Sequence, residues 1–189
     1  MKHGFLSAFF TSVLVFTPTV FAQSQQAPQA AGVPNFHQLN DIVYRGAQPS
    51  PQGFQSLSKL GVKTIIDLRE TGGRAIAEKK VVEAAGMKYI NIPLSGRSAP
   101  TEAQVSRLLA LLNDNNSGPV FVHCRRGADR TGTIIACYRI SHDHWDNQKA
   151  LNEAKMNGMS WTEIAMKHYV LGYKVNEEKV ASAPVGSSQ

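Results

Sequence analysis

The sequence predicts an α/β fold with a central, mostly parallel sheet flanked by helices. Two observations carry this. Short runs rich in Val, Ile, Tyr and Phe alternate with segments whose apolar residues recur at helical spacing, the order expected when crossover helices join parallel strands. The helical segments are also bracketed by capping and stop residues, so the alternation does not rest on hydropathy alone. The 189 residues, 42% hydrophobic and 18% charged, are enough to bury one core, and they contain no internal repeat and no sign of a second domain.

Taken in order, residues 1–22 are expected to be a secretory signal peptide. Lys2 and His3 precede an apolar stretch from Phe5 to Phe21, and Val20-Phe21-Ala22 supplies small residues where a signal peptidase cuts. The stretch is short for a membrane span and is interrupted by Ser7, Thr11, Ser12, Thr17 and Pro18. An exported protein, periplasmic or secreted, with no integral membrane span after cleavage is therefore expected. Residues 23–34 read as a flexible linker, and 174–189 as a polar, disordered tail.

Between them, Ile42 to Arg45 reads as the first strand and Gly46-Ala47-Gln48-Pro49 as a turn. Ser50 caps a helix with Pro51 at its first position, Phe54, Leu57 and Leu60 on one face and Gly61 as its stop. Val62 to Leu68 is a buried strand. After Thr71-Gly72-Gly73, a helix should bury Ala77, Val81, Val82 and Ala85 and stop at Gly86. Met87 to Ile92 is the next strand. Thr101 and Gln104 form a capping box ahead of the stripe Val105, Leu108, Leu109 and Leu112. Val120 to Val122 is the central strand, and an apolar helical pattern runs from Thr133 to Ile140. Asp146 caps a helix through Met156, and Ser160 with Glu163 should box a last helix reaching about Leu171.

The chemistry concentrates in Val122-His123-Cys124-Arg125-Arg126-Gly127-Ala128-Asp129-Arg130-Thr131-Gly132. A strand, a tight loop and a helix N-terminus in succession aim backbone N–H groups and the positive end of a helix dipole at one spot, which suits an oxyanion. Cys124 stands at the mouth of that loop, where such partial charges favour a nucleophilic thiolate. Arg130, at the helix start, has the planar fork that grips two phosphate oxygens. Thr131 offers a hydroxyl to the sulfur. Residues 125–130 (Arg125, Arg126, Gly127, Ala128, Asp129 and Arg130) are the expected phosphate-binding set.

This His-Cys-x5-Arg-Thr-Gly pattern resembles the signature of the cysteine-dependent protein tyrosine and dual-specificity phosphatases. The run Tyr-Arg-Gly-Ala-Gln-Pro-Ser at 44–50 is similar to the opening of the small atypical dual-specificity phosphatases of plants, fungi and bacteria. The resemblance runs from about Asn35 to Gly172, so residues 35–173 are expected to be the catalytic domain. It implies a phosphocysteine formed on Cys124, equatorial oxygens held by Arg130 and the loop amides, and His123 tuning the cysteine region. It implies no metal and no cofactor. The implied substrates are phosphate monoesters, phosphotyrosine first and phosphoserine or phosphothreonine next.

One part of the family pattern is missing. The family usually supplies a general acid from an Asp in a mobile loop upstream of the cysteine, and Ile92 to Glu102 contains no Asp. Asp129 is the first candidate, because the same Asp-Arg pairing occurs in myotubularin-like and Sac-like phosphoinositide phosphatases and in bacterial atypical enzymes. The other reading of Asp129 is a helix-capping carboxylate. Glu102 is the second candidate. The Asp-Arg pair, with Arg125 and Arg126, keeps inositol phosphates or phosphoinositides open as substrates. A non-hydrolysing phosphate-binding module and a rhodanese-like sulfurtransferase are the remaining alternatives.

The net charge of +6 suits an anionic substrate, either a phosphorylated protein or a small phosphorylated molecule. No basic stripe interleaved with aromatics points to nucleic acid. A monomer is expected. Of the two cysteines, Cys137 lies about two helical turns past the loop, too far to bridge Cys124, and reads as a core residue.

Overall fold

The computed structural model describes residues 1, 29–114, 116 and 118–175. The expected signal peptide beyond Met1, residues 23–28 of the expected linker and the tail from residue 176 lie outside the described residues. The strands are β1 (His37–Gln38), β2 (Val43–Ala47), β3 (Thr64–Asp67), β4 (Lys88–Asn91) and β5 (Val120–Cys124). The helices are α1 (Pro51–Lys59), α2 (Gly73–Ala84), α3 (Glu102–Asn113), α4 (Asp129–Ser141), α5 (Asn147–Met156) and α6 (Ile164–Gly172). The sheet order is β1-β2-β5-β3-β4, with only β1 antiparallel to its neighbour. The expected α/β architecture is present.

β5 is central and buried along its whole length because helices cover both faces of the sheet. Its residues alternate between those faces. Val120, Val122 and Cys124 join the core with Val43, Ile66, the α3 stripe and Ile134, Ile135 and Tyr138 of α4. Phe121 faces the opposite core, with Phe54 and Leu57 of α1 and Val82 of α2. The helix pair after the loop closes a third cluster through Ala136, Ala150, Ala154 and Val170. Cys137 is fully buried within the first core, and burial pushes its thiol far above the ordinary range. Both cysteines are free, as the spacing required. Among the described residues, no helix is long and apolar enough to cross a membrane.

The capping expectations hold at α1, α3 and α5: Ser50 and Asp146 each accept from a first-turn N–H, and Thr101 and Gln104 form the reciprocal box. Five expectations need correction. The short edge strand β1 was not foreseen. β2 runs on through Gly46 and Ala47, where a turn was expected, because Ala47 pairs in register with Cys124. α2 buries Ala75, Glu78 and Val82, while Ala77 is exposed, since a polar contact of Glu78 overrides the apolar pattern. The Ser160–Glu163 box does not form: the Ser160 hydroxyl bonds within its own turn, to the Thr162 N–H and hydroxyl, and α6 starts only at Ile164. Finally, the end of the expected linker is folded. Ala30 and Val33 are buried, and the Ala47 N–H donates to the Pro34 carbonyl at 2.8 Å, so the domain begins before Asn35.

Candidate active site

β5 ends at Cys124 and α4 begins at Asp129, so residues 125–128 form the whole loop. This places Cys124 at the carboxyl end of the central strand, the edge at which open parallel sheets bind ligands. The first-turn N–H groups of α4 have no intrahelical acceptor and carry the positive end of its dipole. Gly127 is required by both conformation and space. Its φ is +67°, and a Cβ there would lie 2.3 Å from the Gly46 carbonyl carbon. Gly46 in turn has no room for a Cβ beside the Phe121 ring, at 2.8 Å. The loop therefore presses directly on the end of β2, which ties the 44–50 motif physically to the cysteine loop.

The expected residues occupy the end of β5, the loop and the first turn of α4. Cys124 is buried at the loop mouth. Arg130, in the first turn of α4, is half-buried, and its Nη1 donates to the Leu94 carbonyl at 3.5 Å. Thr131 is fully buried, and its hydroxyl has no hydrogen-bond partner among the described residues. Gly127 and Ala128 are buried, while Arg125 and Arg126 point outward.

Two supporting residues escaped the sequence reading. Asn35, at φ +51°, donates from Nδ2 to the carbonyls of Arg126 (3.3 Å), Gly127 (3.2 Å) and Asn157 (3.1 Å). A non-glycine residue in that region costs energy and marks an over-determined position. Arg45, 1% exposed, donates from Nη2 to the Gly127 carbonyl at 2.5 Å. An arginine at an inward position of an apolar strand was the available signal.

His123 lies on the sheet face opposite Cys124, so it does not face the loop's anion site. Its Nδ1 lies 3.3 Å from the Cys124 carbonyl, and its Nε2 lies 2.8 Å from Glu78 Oε1. Glu78 Oε2 accepts from Arg69 Nη2 at 2.5 Å and from Gln48, and Arg69 also grips Asp67 through Nε (2.8 Å) and Nη2 (2.7 Å). Asp67, Glu78 and His123 bring ligand-type atoms within 4.8 Å of one another. All four carboxylate oxygens, however, already accept from Arg69, Tyr89, Gln48 or His123. The cluster is a buried ion-pair network that holds the end of β5.

Burial pushes the Asp67 carboxyl up, but the Arg69 hydrogen bonds, the neighbouring His123 and the Tyr89 hydroxyl outweigh it and hold the group below its ordinary 3.8. A folded value below the unfolded one gives stability that is complete above 3.8 and lost as pH falls through the folded value. Replacing Arg69 by Met strands two buried carboxylates and is expected to cost about 3–5 kcal/mol at neutral pH. Urea unfolding of both proteins should show that gap narrowing below pH 3.8, as the wild type loses the Asp67 contribution. A pH-independent gap would exclude Asp67 as the partner.

The two acid candidates lie in different surroundings. Asp129 sits at the start of α4 but does not cap it: Oδ2 accepts from Arg126 Nη2 at 2.5 Å and Oδ1 from the Ser160 N–H at 2.8 Å. Glu102 is exposed on the first turn of α3. Its charge adds to burial and to Cys137 in pushing the Tyr173 phenol up to about 12. Gly96, in the segment where the family's Asp was sought, abuts Arg130, since a Cβ there would lie 4.0 Å from the Arg130 Cζ.

A sequence model described as a DSP-PTPase phosphatase fused to NAD+ kinase matches residues 19–171. The dual specificity protein phosphatase TpbA of Pseudomonas aeruginosa is 30% identical over 152 residues, covering 79% of this chain and 67% of TpbA. Inositol diphosphatase DSP3 of Arabidopsis thaliana is 29% identical over 136 residues, covering 68% and 65% of the two chains. A crystal structure of P. aeruginosa TpbA, as a Cys-to-Ser variant in complex with pTyr, superposes with a TM-score of 0.68 at 27% identity. That match covers 84% of this chain and 94% of the other. The core catalytic domain of Siw14 from S. cerevisiae shares the fold, with a TM-score of 0.69 at 20% identity and coverage of 82% and 94%. These matches decide against a sulfurtransferase or a non-hydrolysing module: the chain belongs to the DSP-PTPase family and is a phosphatase of the dual-specificity type.

Proposed function

We propose that this chain is an exported, monomeric phosphatase that hydrolyses phosphate monoesters through a phosphocysteine. Phosphotyrosine is its first substrate, with phosphoserine and phosphothreonine next. The observation that carries the reading is Cys124 at the carboxyl end of the central strand, facing the first turn of α4, which also bears Arg130. The signal-peptide pattern of residues 1–22 supports export to the periplasm or beyond.

In the proposed cycle, Cys124 Sγ attacks phosphorus in line and the S–P bond forms as the ester P–O bond breaks. The loop amides and Arg130 hold the equatorial oxygens. Asp129 gives its proton to the leaving oxygen, which requires Arg126 to release Oδ2 and turn to the incoming phosphate. The 60% exposure of the Arg126 side chain allows that movement. Water then attacks phosphorus, Asp129 takes back a proton, and the sulfur leaves as thiolate, steadied by the buried Thr131 hydroxyl. Acid quench during turnover, followed by mass spectrometry, is expected to find a phosphoryl adduct on the Cys124 peptide. Turnover without that adduct, or dependent on added metal, would overturn the mechanism.

Asp129→Asn is expected to lower kcat on a phosphoserine peptide about 10²-fold and to remove the basic limb of its pH profile. Aryl phosphates, whose leaving groups need less protonation, should lose far less. The same signature in Glu102→Gln would move the acid there.

A second reading, an inositol phosphate phosphatase, has specific support in the outward-facing Arg125 and Arg126 and in the likeness to an inositol diphosphatase. Comparing kcat/KM for a phosphotyrosine peptide and for inositol diphosphates decides between them.

A further inference from the structure

Arg45 stands out among the buried groups. It lies on the α4-facing side of β2, in register with Val122, and its neighbour Ala47 is in register with Cys124. Its guanidinium thus sits beneath the cysteine loop. Nη2 donates to the Gly127 carbonyl at 2.5 Å, while Nε and Nη1 have no hydrogen-bond partner among the described residues. Burying a cation so sparsely paired is unfavourable unless other charges compensate for it. Burial, with a smaller push from Arg139, outweighs the pull of Glu153 and Cys124 and lowers its pKa to about 10. Arg45 therefore remains cationic at neutral pH.

The hydrogen bond has a geometric consequence. In a planar trans peptide, C=O and the next N–H point in opposite directions. Holding the Gly127 carbonyl against Arg45 turns the Ala128 N–H to the other side of the loop. Asn35 does the same one residue earlier, since its grip on the Arg126 carbonyl turns the Gly127 N–H the same way. Two successive amides directed to one side make an anion-binding nest.

We propose that Arg45 is a positioning residue for the phosphate cradle, fixing the Gly127 carbonyl behind the loop and placing a buried positive charge behind Cys124. This rests on the reading of that loop as an oxyanion site. The test compares alkylation of Cys124 in the full chain by iodoacetate, an anion, and by iodoacetamide, which is neutral, with the Cys124 peptide assigned by mass spectrometry. Wild type is expected to prefer the anionic reagent over free cysteine's preference by about 10-fold or more. Arg45→Met should lose most of that preference and bind orthovanadate about 10-fold more weakly. Arg45→Lys, which keeps the charge, should recover most of it. If Arg45→Met fails to fold by circular dichroism, Arg45→Gln removes the charge while keeping a donor for Gly127.

A folded neutral variant with the wild-type preference would overturn the proposal, as would a folded Lys variant that behaves like free cysteine. A wild type with no preference would overturn the cradle reading itself, so the two failures are distinct.

Discussion

Cys124→Ser is expected to lower turnover of an aryl phosphate by about 10⁴-fold or more, while phosphotyrosine and inorganic phosphate still bind. Serine is nearly isosteric, so it leaves the loop on Gly46 and the hydrogen bonds of Asn35 and Arg45 intact. What it removes is the thiolate. A serine hydroxyl, unlike a thiol in this setting, holds its proton at neutral pH. Binding and chemistry should therefore separate in one variant, with isothermal calorimetry reading the first and steady-state kinetics the second. Residual turnover within about 10-fold of wild type would show that Cys124 is not the nucleophile.

Arg130→Met should reduce kcat/KM by about 10³-fold, through a lower kcat and a higher KM. The guanidinium is half-buried, and its bond to the Leu94 carbonyl, at 3.5 Å, is at the limit of hydrogen-bond length, so little holds it away from an arriving phosphate. Lysine keeps the charge but loses the planar fork, and Arg130→Lys should regain no more than about 10-fold. Because Arg130 carries no ion pair among the described residues, unlike Arg69, these variants should unfold in urea as the wild type does. A large loss of stability in Arg130→Met would instead give the residue a structural role.

Much of this was legible in the sequence because the signals are local. The Cys124 to Gly132 stretch holds its proposed nucleophile, its amides and its proposed clamp within one loop and one helical turn, and Ser50, Thr101 and Asp146 cap their helices through bonds spanning only three residues. Strand type and order along the chain followed from period and punctuation. The failures occurred where a distant partner intervened. α2 rotates to bury Glu78 because His123 lies across the sheet, 45 residues away in sequence. Ser160 is tied to Asp129 over 31 residues and closes a turn in place of a helix box.

The sequence by itself determined the fold class, the position of the cysteine loop between strand and helix, and the likeness to the phosphatase family. Only the tertiary structure decided what holds the loop in place: Arg45 and Asn35 behind it, and the Asp67–Arg69–Glu78–His123 network beneath the end of β5. The physical reason is the sheet order. Placing β5 between β2 and β3 brings together residues separated by 82, 91 and 45 positions, and those separations leave no mark on local periodicity or propensity.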